Sequence, residues 1–134
     1  MKTALLAATL IGVITTYGGK YVGQPLYCDN GQGLVYDDSV AFVALPVTEY
    51  TAGLAQCGDL VRVQIGDDVF FAQALDAGPL EKYRVEQYGD LPIVADVPSH
   101  LWPLPGRAIS ATGVVFNVSQ FNRMCQDCAA GYMR

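Results

Sequence analysis

An all-β domain is predicted by three observations. Short runs rich in Val, Ile, Phe, Tyr and Thr recur along the chain; Gly, Pro, Asn and Asp punctuate them; and no long segment carries apolar residues at helical spacing. The 134 residues suit one domain, since compact domains commonly run ~100 to 150 residues around a single core. Hydrophobic residues make up 51% and charged residues 16%, a balance that excludes disorder because the chain has ample side chains to bury.

The best strand pair is 60–65 followed by 68–75. Val61, Val63 and Ile65 alternate with polar residues, and Gly66-Asp67 between the runs has the Gly-first chemistry of a tight hairpin. Further strands are expected at 10–17, 39–45, 91–95 and 111–118, separated by Gly18-Gly19, Asp29-Asn30-Gly31 and Gly58-Asp59, where Gly and Asn tolerate the positive φ of turns. Six strands suit a small barrel. Two short helices are expected at 47–55 and 98–104, the second opened by Pro98 and stopped by Pro103.

The 13 acids outnumber the 8 bases for a net charge of −5, with no Lys/Arg run to neutralise phosphates, so nucleic acid is excluded as a partner. No cofactor is expected. At the N-terminus, Met1-Lys2 and the apolar run after them have the look of a secretion signal. No small-x-small cleavage site follows cleanly, and the run is too short to span a membrane. Residues 1–11 are therefore expected to be retained as an apolar segment, available to protein assembly partners. The barrel is assigned to 12–118 and a C-terminal extension to 119–134.

Four cysteines, Cys28, Cys57, Cys125 and Cys128, allow three disulfide pairings or a four-thiolate metal site. The common zinc pattern has two C-x-x-C knuckles, whereas only Cys125 and Cys128 form one here, so a metal site is disfavoured. A Cys28 to Cys57 bridge is the preferred reading, and it points to an oxidising compartment: extracellular, periplasmic or cell-surface. The tail is expected to be pinned by its own sulfur chemistry. Asn117-Val118-Ser119 fits a glycosylation sequon, but it falls inside the last expected strand, which favours a chance match.

Several blocks, taken in order, resemble the barrel of expansins, barwin and rare-lipoprotein-A-like proteins. Residues 12–23 resemble its opening Thr- and Tyr-rich strand and Gly turn. Residues 39–46 resemble the strand leading into its middle, and Cys57-Gly58-Asp59-Leu60-Val61-Arg62-Val63 resembles its Cys-Gly-x-x-Val-x-Val element. Leu75-Asp76-Ala77-Gly78-Pro79 resembles its Asp-x-Gly-Pro loop, and residues 93–98 resemble the strand that ends at its second acid. The resemblance covers about residues 12–118 and implies a six-stranded double-psi β-barrel with an open groove.

It also implies that Asp76 and Asp96 line a polysaccharide groove, as candidate catalytic residues, with Thr16 as the groove threonine, although Thr15 is equally placed. Independently, Asp76 ends an apolar run, where desolvation would favour a proton donor. Asp96 precedes a Pro-initiated turn, whose amides would favour a carboxylate. Two carboxylates in different environments are the minimum for glycosidic chemistry, whereas the plainer alternative is that both cap turns. Tyr17 and Trp102 are the aromatics expected to stack on sugar rings.

Two departures weaken a lytic transglycosylase reading: the family's His is missing from the strand aligned with Ala41-Phe42-Val43, and Ala77 stands where its Arg would be. His100 lies outside that strand and reads as a structural side chain. Expansins need no such His, and they carry a second, carbohydrate-binding domain after the barrel, so polymer grip is expected here from the barrel itself or from a partner chain. The implied function is binding or loosening of a wall polysaccharide, peptidoglycan or β-glucan, with lytic chemistry as an extension. The alternative, from a different class, is a non-catalytic structural barrel within a larger assembly such as a viral tail or cell-surface complex. A third idea is a thiol-redox or metal role for Cys125 and Cys128.

Overall fold

Val61, Val63 and Ile65 are buried while Leu60 is exposed and Arg62 and Gln64 are partly covered, the alternation of a strand with one face on a core. This strand and its hairpin partner anchor the architecture of the computed structural model, which describes residues 8–106 and 108–125. The described strands are β1 (Thr9–Tyr17), β2 (Phe42–Pro46), β3 (Asp59–Ile65), β4 (Asp68–Gly78), β5 (Arg84–Val85), β6 (Leu91–Pro98) and β7 (Ser110–Asn117). Six of them close in the order β1-β7-β3-β4-β2-β6 and back to β1, with β5 added to β6. Closure removes the unpaired edges on which other chains could pair.

Two pairings in the ring are parallel, β1 with β6 and β2 with β4, and the other four are antiparallel. The all-β class, the six-stranded closure and the Gly66-Asp67 hairpin agree with the expectation. The core is filled from every wall by Ile14, Val43, Leu45, Val61, Val63, Ala74, Ala95, Val97 and Val115. A second, smaller apolar cluster of Leu26, Cys28, Tyr36, Phe42 and Leu75 lies under the segment that joins β1 to β2. Cys28 and Cys57 are joined by a disulfide, as preferred from the sequence.

Several boundaries differ from expectation. β1 begins at Thr9, so it takes in residues 9–11 of the segment set apart as 1–11; residues 1–7 lie outside the described residues. β2 starts at Phe42 rather than at 39, because Asp37 accepts both the amide and the hydroxyl of Ser39 and holds those residues in a turn. The helix expected at 47–55 is α1, only Val47–Thr51.

The helix expected at 98–104 is replaced by a single 3-10 turn, Ser99–Leu101. Pro98 is taken up by β6, paired with Tyr17, and Pro103 keeps Trp102 extended. β5 and the C-terminal helix α2 (Val118–Met124) have no counterpart among the expected elements. Among the described residues no helix is long and apolar enough to cross a membrane.

An ion pair holds the start of the C-terminal extension; the sulfur chemistry expected of Cys125 and Cys128 involves Cys128, which lies outside the described residues. Asp59, 5% exposed, accepts Arg123 through both oxygens at 2.7 and 2.9 Å, together with the Gln56 amide and the Asn117 side chain. Burial opposes the charge on Asp59, but these donors outweigh it and hold its carboxyl below the ordinary range. Asn117 also caps α2 by accepting the Gln120 amide at 2.8 Å. Cys125 is buried at the end of α2, and Cys128 lies outside the described residues.

Candidate functional site

Both candidate aspartates lie inside strands. β4 runs on through Asp76 because parallel pairing continues, with Leu45 opposite Ala77 and Pro46 opposite Gly78. β6 runs on through Asp96 because Thr15, Thr16 and Tyr17 pair with Asp96, Val97 and Pro98. Neither aspartate therefore sits at the end of its strand, although Asp76 does accept the amide of Tyr27, which lies in a turn of the β1–β2 segment. The pairing register slips just before each: β4 has the extra residue Leu75 between the partners of Val43 and Ala44, and β6 has the extra residue Val94 between the partners of Val13 and Ile14. Such bulges interrupt side-chain alternation and re-aim the residues beyond them. Ala74 and Leu75 are accordingly both buried, Ala74 in the barrel core and Leu75 in the second cluster.

Ala44 of β2 pairs with Asp76 on one side and with Asp96 on the other. Directly paired residues project to the same side of a sheet, so the two aspartates flank one alanine. The Cα atoms are two strand spacings apart, roughly 10 Å. Both aspartates line one cavity of about 260 Å³, with Ala44 between them, Tyr17 and Tyr21 along one side, and Gly78, Pro79 and Leu80 along another.

The two carboxyl groups have unlike surroundings. Asp76 Oδ2 accepts the Tyr17 hydroxyl at 2.8 Å and Oδ1 accepts the Tyr27 amide at 2.9 Å, while its backbone carbonyl accepts the Tyr50 hydroxyl from α1 at 2.8 Å. Asp96 accepts one hydrogen bond, from Thr15 at 3.0 Å. Burial pushes the Asp96 carboxyl up to about 6; the Thr15 hydroxyl pulls it down, and the charge of Asp76 adds to the rise. This differs from the sequence reading of Asp96 as an amide-stabilised carboxylate: burial outweighs the single donor it has. The turn after β6 starts at Ser99, and among the described residues no backbone amide donates to the Asp96 carboxyl.

Tyr17 is held from behind: Tyr36, 1% exposed, donates its hydroxyl to the Tyr17 carbonyl at 3.0 Å and packs edge-on against the Tyr17 ring. Burial, then the neighbouring Asp76, raises the Tyr17 phenol, so it remains a donor. Tyr50 is shifted the same way by the same two causes. Tyr27, 46% exposed, stacks at a tilt on Tyr50 with centroids 4.9 Å apart, and Tyr21, 44% exposed, meets the Tyr17 ring edge at 5.7 Å.

Of the residues predicted for the site, Asp76, Asp96 and Tyr17 come together. Thr16 does not join them: its hydroxyl donates to the Val97 carbonyl at 2.7 Å, and Thr15 reaches Asp96 instead. Neighbours in a strand point to opposite sides, so only one of the two can face the groove. Trp102 is also elsewhere, its indole N–H bonded to the Ala108 carbonyl and its ring against the barrel core. The His100 ring lies 2.7 Å through Nε2 from the Val40 carbonyl and packs on Tyr36 and Phe42, outside the cavity.

Tyr27 and Tyr50 escape a reading of the sequence because their link to Asp76 depends on where a loop and a helix land. Among the described residues no group of three or more His, Cys, Asp or Glu side chains is gathered as metal ligands.

No protein-family model matches the sequence. A search of curated protein sequences gives no match either. Among solved structures, the fold matches the crystal structure of an apo expansin from Clavibacter michiganensis, with a TM-score of 0.54 and 20% sequence identity over 82% of this chain and 50% of that one. The chain thus spans half the length of that expansin. Closed ring, paired parallel strands and disulfide together give this chain the fold of the expansin-like double-psi β-barrel.

Proposed function

We propose that the groove over Ala44 binds a wall polysaccharide, peptidoglycan or β-glucan, outside the cytoplasm. The observation that carries the reading is the placement of Asp76 and Asp96 on either side of Ala44 in one open cavity with aromatic walls. Carboxyl groups accept sugar hydroxyls, and flat tyrosine faces pack on the C–H faces of pyranose rings. The fold shared with an expansin supports the same class of ligand.

One property of the pair supports glycosidic cleavage as well. Asp96, pushed up to about 6, holds a proton under mildly acidic conditions, and Asp76, its side chain fixed by the Tyr17 hydroxyl and the Tyr27 amide, faces it across the groove. Lytic chemistry is thus an extension of binding in the same groove.

Co-sedimentation of the full chain with purified peptidoglycan and with cellulose tests the binding reading. Retention on at least one polymer, lost in Asp76→Ala, is expected. Absence of retention on both would sink the reading. Release of soluble fragments, abolished in Asp96→Asn, tests the lytic extension separately.

The second reading, a structural barrel in a larger assembly, is favoured by one observation. The outer face of β1, β7, β3 and β4 exposes Ile11 (67%), Phe71 (53%) and Val69 (42%), with Ile11 paired to Val114 and Val114 to Gln64 across the strands. Size-exclusion chromatography discriminates: a clean monomer at high concentration counts against it.

A further inference from the structure

Residues 22–41 cross from β1 to β2 as a strap of turns, with Pro25 and Val35 forming an isolated bridge. The strap docks on β4 through two consecutive amides. Tyr27 donates to the Asp76 side chain at 2.9 Å, and Cys28 donates to the Leu75 carbonyl at 3.0 Å. From the approach to β3, Gly58 donates to the Ala74 carbonyl at 2.9 Å. The Cys28–Cys57 disulfide therefore joins two segments that meet on the same three residues of β4, ending at Asp76.

We propose that this disulfide is a thiol-operated clasp on the groove: closed, it holds Tyr27 against Asp76, and opened by a dithiol it releases the strap while the barrel stays intact. Cys28 is 9% exposed, whereas Cys57 lies in the exposed class, so a thiolate has access to the Cys57 sulfur. One thiolate of the dithiol attacks Cys57 Sγ, and the S–S bond breaks with its electron pair on Cys28 Sγ, which takes up a proton. The second thiol then attacks the mixed disulfide and frees the Cys57 thiol. The dithiol is oxidised to a disulfide and the protein is reduced by two electrons.

Release is local because the strap adds no strand to the ring, and its Leu26 and Tyr36 pack on Phe42 and Leu75 in a cluster distinct from the barrel core. Tyr27 is thus a positioning residue for Asp76. The importance of that position to ligand rests on the polysaccharide reading above.

Hydrogen exchange on the full chain, with and without an excess of dithiol, tests the clasp. The amides of Tyr27 and Cys28 are expected to exchange at least tenfold faster after reduction and to recover on reoxidation, with the amides of β3 unchanged. Cys57→Ser is expected to show the fast strap without dithiol and no further change on adding it, which separates the effect from Cys125 and Cys128. A bond that resists the dithiol, strap amides that do not respond to its cleavage, or barrel amides that loosen equally would each overturn the proposal. Polymer retention measured on the same samples separates the two readings. Loss on reduction supports the clasp, and unchanged retention with a loosened strap overturns its control of the groove. A lack of retention in both states overturns the polysaccharide reading and leaves the exchange result to decide the clasp.

Discussion

Tyr17, the last residue of β1, donates its hydroxyl to Asp76 Oδ2 at 2.8 Å, bridging two strands that are not neighbours in the barrel. Its phenol is raised by burial and by Asp76, so in an alkaline absorbance titration it is expected to ionise later than the exposed tyrosines. Tyr17→Phe removes a hydrogen bond to a carboxylate, a contribution of roughly 1.5 to 3 kcal/mol. The variant is expected to unfold at lower urea and to bind polymer more weakly, with one fewer late-ionising phenol in its titration, that of Tyr50 remaining.

Asp96 sets a pH dependence whose sign is fixed by its raised pKa. The folded state holds a proton that the unfolded state has already released, so stability falls as pH rises from about 4 to about 6 and is level above that. A rise from 3.8 to about 6 corresponds to roughly 3 kcal/mol. Asp96→Asn keeps an acceptor for Thr15 without the buried charge. It is expected to be about 1 to 3 kcal/mol more stable than the parent at pH 7, with a shallower fall in stability between pH 4 and 6 in urea unfolding. A parent chain with a flat profile over that window would contradict the assignment.

Both aspartates could be picked out from local sequence, but their environments could not. The Asp76 side chain meets Tyr17 from β1 and Tyr27 from the strap, and the run of apolar residues before it says nothing of either. Thr15 and Thr16 are indistinguishable by composition, and a one-residue difference in strand parity decides which one faces the groove. The hairpin was legible because alternation and the Gly66-Asp67 turn are short-range signals. The continuation of β4 and β6 through their aspartates was not, because it depends on partners contributed by β1 and β2. Helix α2 escaped for a similar reason, since its anchor Asp59 lies 64 residues from Arg123.

Arg123→Ala leaves the Asp59 charge buried with only neutral donors. Loss of one partner of a buried ion pair costs about 3 to 5 kcal/mol; with the guanidinium 37% exposed, about 2 to 3 kcal/mol is expected at pH 7. Because the Asp59 carboxyl is held low, its stabilisation is present above its unfolded value of 3.8 and lost as pH falls through the folded value below that. The cost of the substitution, measured by urea unfolding, is expected to shrink as pH falls below that unfolded value.

The Asn117 side chain, 5% exposed and bonded to both Asp59 and Gln120, is unreachable by a glycosylating enzyme in the folded chain. Intact mass after secretion from a glycosylating host is expected to show no glycan at Asn117, and Asn117→Gln is expected to destabilise by about 1 kcal/mol through loss of the cap.

A Cβ at Gly12 would collide with the Pro92 carbonyl and with Val94, so β1 and β6 approach each other there only because that residue is glycine. Gly12→Ala is expected to cost roughly 1 to 3 kcal/mol in thermal or urea unfolding. Since β6 carries Asp96, part of the loss is expected to appear as weaker polymer retention at temperatures where the variant is still folded.

The position of β1 between β6 and β7 has a consequence for synthesis. As the chain leaves the ribosome, residues 9–17 emerge first, yet their partners are residues 91–98 and 110–117, among the last strands to appear. The hairpin of β3 and β4 can form early, but the ring cannot shut until nearly the whole barrel is outside the exit tunnel, and such distant pairing is slow. Until then the apolar side chains of β1 wait unpaired, so a pause or truncation before residue 110 would leave a sticky nascent chain for chaperones to hold.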